Sequence, residues 1–568
     1  MSSSQWKKVL GVAASVSVMG TVLVGCGNAG TATNNTAVNN QTSQKPVMGG
    51  NLNLDFSNAQ QSIDPAIAYD TSSDELVDQM YDRLLTYQGS TNNLVPMAAT
   101  AMPTVSSDGL TYTFHIRKGM TFWNGDPVTA QSFVDEIQRV DSQSVGSPGV
   151  TFIQGVIVGA NEYYNNKAKT ISGIKTPDKY TLVIKLKQPE PFFPMVMAMP
   201  FFSAVDQTWV NKVGNKSFGI DKPMGSGPFE LQSASPTKVV LKKNPHYWMT
   251  DQYGNHYPYL NTVTFNIDQN LHLDAMNFEQ GSTAWMGPWN CAIPSSDFPH
   301  FKTDPTLSKE LQHITQVATY YLGLNTRMAP FNNVKVRQAV EYAIDKKRII
   351  QIFNGRGIVA NQPVPPGLTG YVQNLPSDVN YTYNPTKAKQ LLQQAGMKSG
   401  TTITIEQYND PEEMKETQVI QQNLQAVGFN VNLKTVTWGQ FVKSSNLGQL
   451  AVFPSGWNED FPDAYDFLML FTTQQIPQGS QMNNNDSMYS NKQVDQWVSQ
   501  IQHSTDPTAR NKLIEKATVQ IMKDAPWVPI YYPVVYYISQ PWVHNFYLNN
   551  NVEDPIYQVW VDKSHANG

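Results

Sequence analysis

The sequence predicts an α/β protein of several layers, on three observations. Short segments alternate apolar and polar residues at period two, and between them lie segments whose apolar residues recur at three- and four-residue steps. Hydrophobic residues make up 40% and aromatics 11%, enough to fill large cores. No repeat at a fixed period interrupts the alternation, so the strands belong to sheets covered by helices rather than to a solenoid. A chain of 568 residues has room for about three to four domains.

Taken in order, Thr111-Tyr112-Thr113-Phe114-His115-Ile116-Arg117 reads as a strand with one buried face, turned by Lys118-Gly119. Leu182, Ile184 and Leu186 give Tyr180 to Lys187 the same pattern, and Thr401 to Ile405 and Val431 to Val436 are further strands. Gly225-Ser226-Gly227-Pro228 precedes the strand-like Phe229-Glu230-Leu231 rather than a helix, so it reads as a tight turn and not as a phosphate cradle. Val336, Val340, Ala343 and Ile344 form one stripe and predict a single helix from Val334 to Ile350. Asn384 caps a helix that has Pro385 in its first turn and Gly396 at its end. Pro411 to Val427 is a helix closed by Gly428, and Asp506-Pro507 opens another that runs to about Met522.

Composition excludes several classes. Net charge is −5, with no basic face for nucleic acid and no polybasic stripe for a membrane surface. Charged residues are only 15%, and Asn, Gln, Ser and Thr supply the polar surface. Two cysteines cannot form a disulfide scaffold. At the N-terminus, Lys7 and Lys8 precede a 16-residue uncharged run, Val9 to Val24, too short for a confident membrane span. It ends in Leu23-Val24-Gly25-Cys26, which is similar to a bacterial lipobox. That similarity implies a lipoprotein signal peptide over 1–25, lipidation of Cys26 and anchorage of the chain to a bilayer outside the cytoplasm. Residues 26–47 are nearly free of large apolar side chains and read as a flexible tether. Cys291, the remaining thiol, is expected to be a buried small residue.

Catalysis has no signature here. The nine histidines form no close pair, and H-E-x-x-H, C-x-x-C, G-x-S-x-G and P-loop motifs are all lacking. Adjacent acids such as Glu459-Asp460 and Glu412-Glu413 do not by spacing make a dyad facing across a cleft. No catalytic residue, metal ligand or cofactor is assigned.

Several segments together resemble the oligopeptide- and dipeptide-binding proteins of bacterial ABC importers. They are Ser62-Ile63-Asp64-Pro65-Ala66, Tyr81-Asp82-Arg83-Leu84-Leu85-Thr86-Tyr87, the run Asp108 to Arg117, and Phe122-Trp123-Asn124-Gly125-Asp126-Pro127. Gly225 to Phe229, Lys243 to Trp248, Pro330 to Ala339 with Ala343-Ile344-Asp345, Gly456 to Asp460 and Ala525 to Tyr532 follow in the family's order. The resemblance implies a two-lobed fold of the periplasmic-binding-protein type (type II), enlarged by an inserted domain to three subdomains. By this analogy lobe I comprises 48–85, 223–322 and 527–568, the inserted domain II 86–222, and lobe III 323–526. It implies a non-enzymatic, monomeric receptor whose partners are short peptides and ABC permease subunits.

The resemblance also places the ligand. Asp460 falls where the family receives the peptide ammonium, with Gly456, Trp457 and Asn458 along the cleft and Tyr321, Asn325 and Tyr532 on the bordering strands. Asp460 as a turn cap, Glu459 as the functional acid and Trp457 as plain core are the competing readings. In each pair, Tyr320/Tyr321 and Tyr531/Tyr532, only one ring should face the ligand, because strand faces alternate. Asp64 and Asp345 are expected to brace or cap. Two departures stand out. Ser445 to Ser455 carries no Arg or Lys to meet a peptide carboxylate, and the family's acidic Gly-Glu-x-Asp segment appears as Gly281-Ser282-Thr283-Ala284. An oligosaccharide, a nickel chelate or haem in the same fold is the runner-up, with a secreted hydrolase or an adhesion lipoprotein behind it.

Overall fold

A computed structural model describes residues 45–287, 291–479, 483–549 and 554–566. Cys26, the 1–25 leader and the tether up to residue 44 lie outside the described residues. The architecture is α/β, as the interleaved patterns predict. An eight-stranded mixed sheet has at its centre β1 (Ala318–Leu324), β2 (Thr401–Tyr408), β3 (Phe429–Val436), β4 (Val452–Asn458) and β5 (Trp527–Ser539), in spatial order β5-β1-β4-β2-β3. β1 runs antiparallel to both β5 and β4, whereas β2 is parallel to β4 and β3. Neighbouring residues of β1 enter different cores. Leu322 and Leu324 join Val340, Ile405, Leu424 and Ile530, while Tyr321 joins Phe467, Ile501, Ile521 and Trp527. The sheet is therefore buried on both faces, the usual condition of sheets with helical crossovers.

Two four-stranded sheets lie elsewhere. One contains Asn51–Phe56, Phe229–Ser235, Lys238–Lys243 and Thr262–Ile267; the other contains Thr104–Val105, Thr111–His115, Ile174–Asp178 and Thr181–Lys185. Both contribute to one core that includes Leu54, Phe114, Phe133, Leu182 and Phe265. The period-two reading holds here: Tyr112 faces Ile184 and Phe114 faces Leu182 across the ladder, and all four are buried. Beyond its pairing with β1, the long β5 pairs with Gln312–Thr315 and Trp285–Met286, and its Ile538 enters a separate small core with Met286 and Phe298.

The single helix expected from Val334 to Ile350 is two helices, Val334–Ala343 and Lys346–Ile352. Ile344 is extended between them, and the Asp345 side chain accepts from the Arg348 N–H, so a new N-cap wins over a continuing stripe. The glycines near 225 are needed for close approach rather than for a tight turn. A Cβ on Gly225 would lie 1.8 Å from the Met80 carbonyl oxygen, and the Gly227 N–H donates to that oxygen at 2.9 Å. Cys291 is fully buried and its thiol donates to Asp274 at 3.2 Å.

Two helices carry charge inward. On α1 (Ala130–Val140), Arg139 donates to both oxygens of Asp64 at 3.1 and 2.5 Å and to Glu136 at 2.6 Å, in a triad no more than 6% exposed. The other, α2 (Pro411–Ala426), opens on Asp410, whose carboxylate accepts from the Glu412 and Glu413 N–H groups. No helix among the described residues is long and apolar enough to cross a membrane.

Burial raises several carboxyl groups without a compensating cation: Asp486 to about 6, Glu190 to about 7, and Glu413 and Glu416 to about 8. The folded chain therefore holds protons that the unfolded chain releases between about pH 4 and pH 8. Stability is expected to fall as pH rises through that window, so the ligand-free protein melts at a higher temperature at pH 5 than at pH 8. Thermal scans across this range check it; a melting temperature that rises with pH contradicts it.

Candidate functional site

β4 changes character along its length. Val452 and Phe453 are wholly buried, and Gly456 and Asn458 emerge into solvent. It pairs with β1 over all seven residues but with β2 only at Val452. From Phe453 onward the β2-facing edge of β4 has no ladder partner among the named strands. A cavity of about 440 Å³ lies along this stretch, lined by Pro454, Ser455 and Asn458. Its aromatic wall includes Tyr320 and Tyr531, whose rings stack at 5.0 Å and 11°. α2 supplies an acidic wall, and Thr71 and Ile293 reach in from segments that precede β1 in the chain.

Arg356 also lines the cavity. Its guanidinium donates to the carbonyls of Phe353 and Ile293 and to the Ser295 hydroxyl, which ties the segment around Ile293 to the one around Arg356 at the cavity's edge. Beyond the end of β4, Phe192 stacks on Phe461 and Tyr465, each at 4.9 Å, and Gln502 donates to Glu190 at 2.7 Å.

Just past β4 stands a group of three carboxyl side chains. The Tyr69 hydroxyl donates to Asp460 at 2.6 Å, and Asp466 accepts from the Trp457 indole at 3.0 Å and from the Asp460 N–H at 3.1 Å. Both oxygens of Glu459 and one of Asp466 are buried without a hydrogen-bond partner. None of the three is ion-paired among the described residues. Burial raises all three above the usual carboxylate range, and mutual repulsion adds to it for Glu459 and Asp466. Glu459 and Asp460 face a cavity of about 80 Å³, closed by Tyr69, Met199 and Phe201. These are acids held in a partly dry place, none of the three with a cationic partner among the described residues. A cation that entered would be strongly favoured.

Each residue singled out from sequence now has a place. Asp460 caps no turn: its carboxylate accepts from Tyr69, while Asp463 caps the following helix and pairs with Arg510. Asn458 lines the larger cavity and accepts from Gln316 at 3.1 Å. Gly456 lies opposite Tyr320, and a Cβ there would come within 3.0 Å of that ring. Trp457 is half-buried against the Phe467 core, with its indole N–H spent on Asp466.

Three of the expected contacts point elsewhere. Tyr321 is buried, donates to Asp486 at 2.9 Å and stacks on Trp527 at 3.4 Å; its neighbour Tyr320 faces the cavity instead. Tyr532 spends its hydroxyl on Gln362 and neighbouring backbone, and Tyr531 takes the cavity position. Asn325 is fully buried and clamps the carbonyls of Gly448 and Leu450, a structural brace behind β4. The register shift between Tyr320 and Tyr321 in the β1–β5 ladder pairs Tyr320 with Tyr531 and so brings these two rings together.

Tyr69, Arg356, Glu413 and Glu416 were not found from sequence. A signal for the two acids existed. Glu413, Glu416, Thr417, Ile420 and Leu424 are the buried residues of α2 and recur at three- and four-residue steps, so two acids sit on its core-facing stripe.

The profile of the bacterial extracellular solute-binding proteins, family 5 Middle, matches residues 93–479. The chain is 28% identical to the dipeptide-binding protein of Escherichia coli K12 over 484 residues, covering 82% of this chain and 85% of that protein. It is 26% identical to heme-binding protein A of Haemophilus influenzae over 565 residues, 95% of this chain and 97% of that protein. The Helicobacter pylori periplasmic binding protein DppA, solved in complex with the peptide STSA, superposes with a TM-score of 0.75 at 26% identity, covering 91% of this chain and 99% of that one. The α/β architecture is thus that of the periplasmic binding proteins, and this chain belongs to family 5 of the bacterial extracellular solute-binding proteins.

Proposed function

We propose that this chain is a lipid-anchored receptor that captures short peptides outside the cytoplasm and delivers them to an ABC importer, with no chemistry done on the ligand. One observation carries the reading: an unladdered strand edge borders a cavity and leads directly to an uncompensated carboxylate. An extended peptide laid along β4 pairs its backbone with the free edge whatever its side chains are. Its ammonium reaches Asp460 as a charge-assisted, partly desolvated pair, and Tyr69 holds that carboxylate in place. Arg356 supplies positive charge for the far carboxylate, a role that Ser445 to Ser455 cannot fill.

The lobes are assigned as 48–85, 223–322 and 527–568 for lobe I, 86–222 for domain II and 323–526 for lobe III, with β1 and β5 as the crossovers. The Phe192–Phe461 stack and the Gln502–Glu190 bond then bridge domain II and lobe III, and they part when the lobes swing open by a hinge motion. The lipobox-like Leu23 to Cys26 supports the anchor. The relatives named for peptides support the ligand class.

Calorimetry with tri- to pentapeptides tests the grip. Free peptides are expected to bind at least about 30-fold more tightly than their N-acetylated forms, since acetylation removes one partner of a buried charge pair. Equal affinities for the two forms contradict it.

A further inference from the structure

The larger cavity holds two further buried acids that lack a cationic partner among the described residues. Glu416 lines it, is only 5% exposed, and has no ion-pair partner among the described residues. Glu413, one turn earlier on the same face of α2, is 8% exposed and bonds to Tyr408, whose N–H donates to it at 3.0 Å. Two acids at this spacing on a buried helix face repel each other whenever both are ionised, and a cation between them relieves that repulsion. Arg356 lines the same cavity but forms no ion pair with either acid among the described residues. Opposite the acids stands the Tyr320–Tyr531 stack. A pair of aromatic faces across from carboxyl groups suits a flexible alkyl stem ending in a cation, because the stem packs on the rings and the charge is drawn to both walls.

Resting on the peptide reading of this cavity, we infer that it contains a subsite for a basic side chain, lysine or arginine, gripped by Glu416 and Glu413 against Tyr320 and Tyr531. The receptor would therefore select cationic peptides rather than accept all side chains alike. Groups facing Glu416 are Glu413 and Asp410 from its own helix end, Tyr320 from β1 and Tyr531 from β5; Tyr408 of β2 and Arg356 lie on the same cavity. Both acids retain protons up to about pH 8 in the empty cavity, so entry of a cation expels protons, and the preference for basic peptides strengthens as pH rises from 6 to 8.

The test is calorimetry on the full chain with tripeptides carrying lysine, norleucine or glutamate at each position in turn, against wild type and Glu416→Gln. At one position lysine is expected to bind about 10-fold more tightly than norleucine. In E416Q that ratio falls to within about 2-fold while norleucine affinity stays at the wild-type value, which also shows the variant folded. Equal binding of lysine and norleucine at every position overturns the inference but leaves the peptide reading standing, as does a lysine preference that survives E416Q. Failure of every tripeptide to bind overturns the peptide reading itself.

Discussion

Asp460→Asn is expected to weaken the binding of peptides with a free amino terminus by about 100-fold, near 3 kcal/mol. The substitution keeps the shape and the bond from Tyr69 while removing the charge. The ammonium would then lie in a small cavity whose other lining acids are Asp74, Asp78 and Glu459; Asp78 is paired with Arg83, and Glu459 is pushed toward its neutral form by burial and by its carboxylate neighbours. N-acetylated peptides, having no ammonium, should bind the variant and wild type nearly equally. The two changes together then cost little more than either alone, the mark of a coupled pair. The pH dependence follows from the same group. Asp460 is raised above the ordinary carboxylate range by burial, and ammonium binding needs it ionised, so affinity for free peptides falls in mildly acid solution. Calorimetry from pH 5 to pH 8 reads this directly; a flat profile would place the ammonium elsewhere.

Arg139→Met is expected to cost about 3–5 kcal/mol of stability, because it strands two buried carboxyl groups, Asp64 and Glu136, that are no more than 1% exposed. Arg139 also packs over the Phe218 ring at 5.1 Å, and Met recovers only part of that contact. The measurement is the urea midpoint followed by tryptophan fluorescence. Replacing Asp64 and Glu136 as well by apolar residues of similar volume should restore most of the loss, since the penalty belongs to unpaired charge rather than to the absent bonds. A single-variant loss below about 1 kcal/mol would mean that water reaches the triad.

Much of the fold was legible because local rules and tertiary packing agree. Asn384, Asp410 and Asp506 cap the helices that their sequence context announces, and Tyr112, Phe114, Leu182 and Ile184 bury the faces that period two assigns them. Legibility ended where both faces of a sheet are buried. On β1 and β5 an apolar residue signals nothing about which core it enters, and a register shift between Tyr320 and Tyr321 pairs Tyr320 with Tyr531. Tyr321 and Tyr532 were therefore expected in place of Tyr320 and Tyr531. The cavity's charges were hidden for a different reason. Arg356, Glu416 and Tyr531 are separated by long stretches of chain and meet only through the strand order of the central sheet. By contrast Asp460 lies within one contiguous motif, Gly456-Trp457-Asn458-Glu459-Asp460, so its position just past a strand was legible in the sequence.

The most direct measurement is a crystal structure of the protein with a bound tetrapeptide of free termini. The account predicts the ligand backbone paired along β4 from Phe453 toward Asn458, with its ammonium within hydrogen-bond distance of the Asp460 carboxylate. An ammonium in solvent or against another group, with Asp460 still bonded to Tyr69 alone, would contradict it.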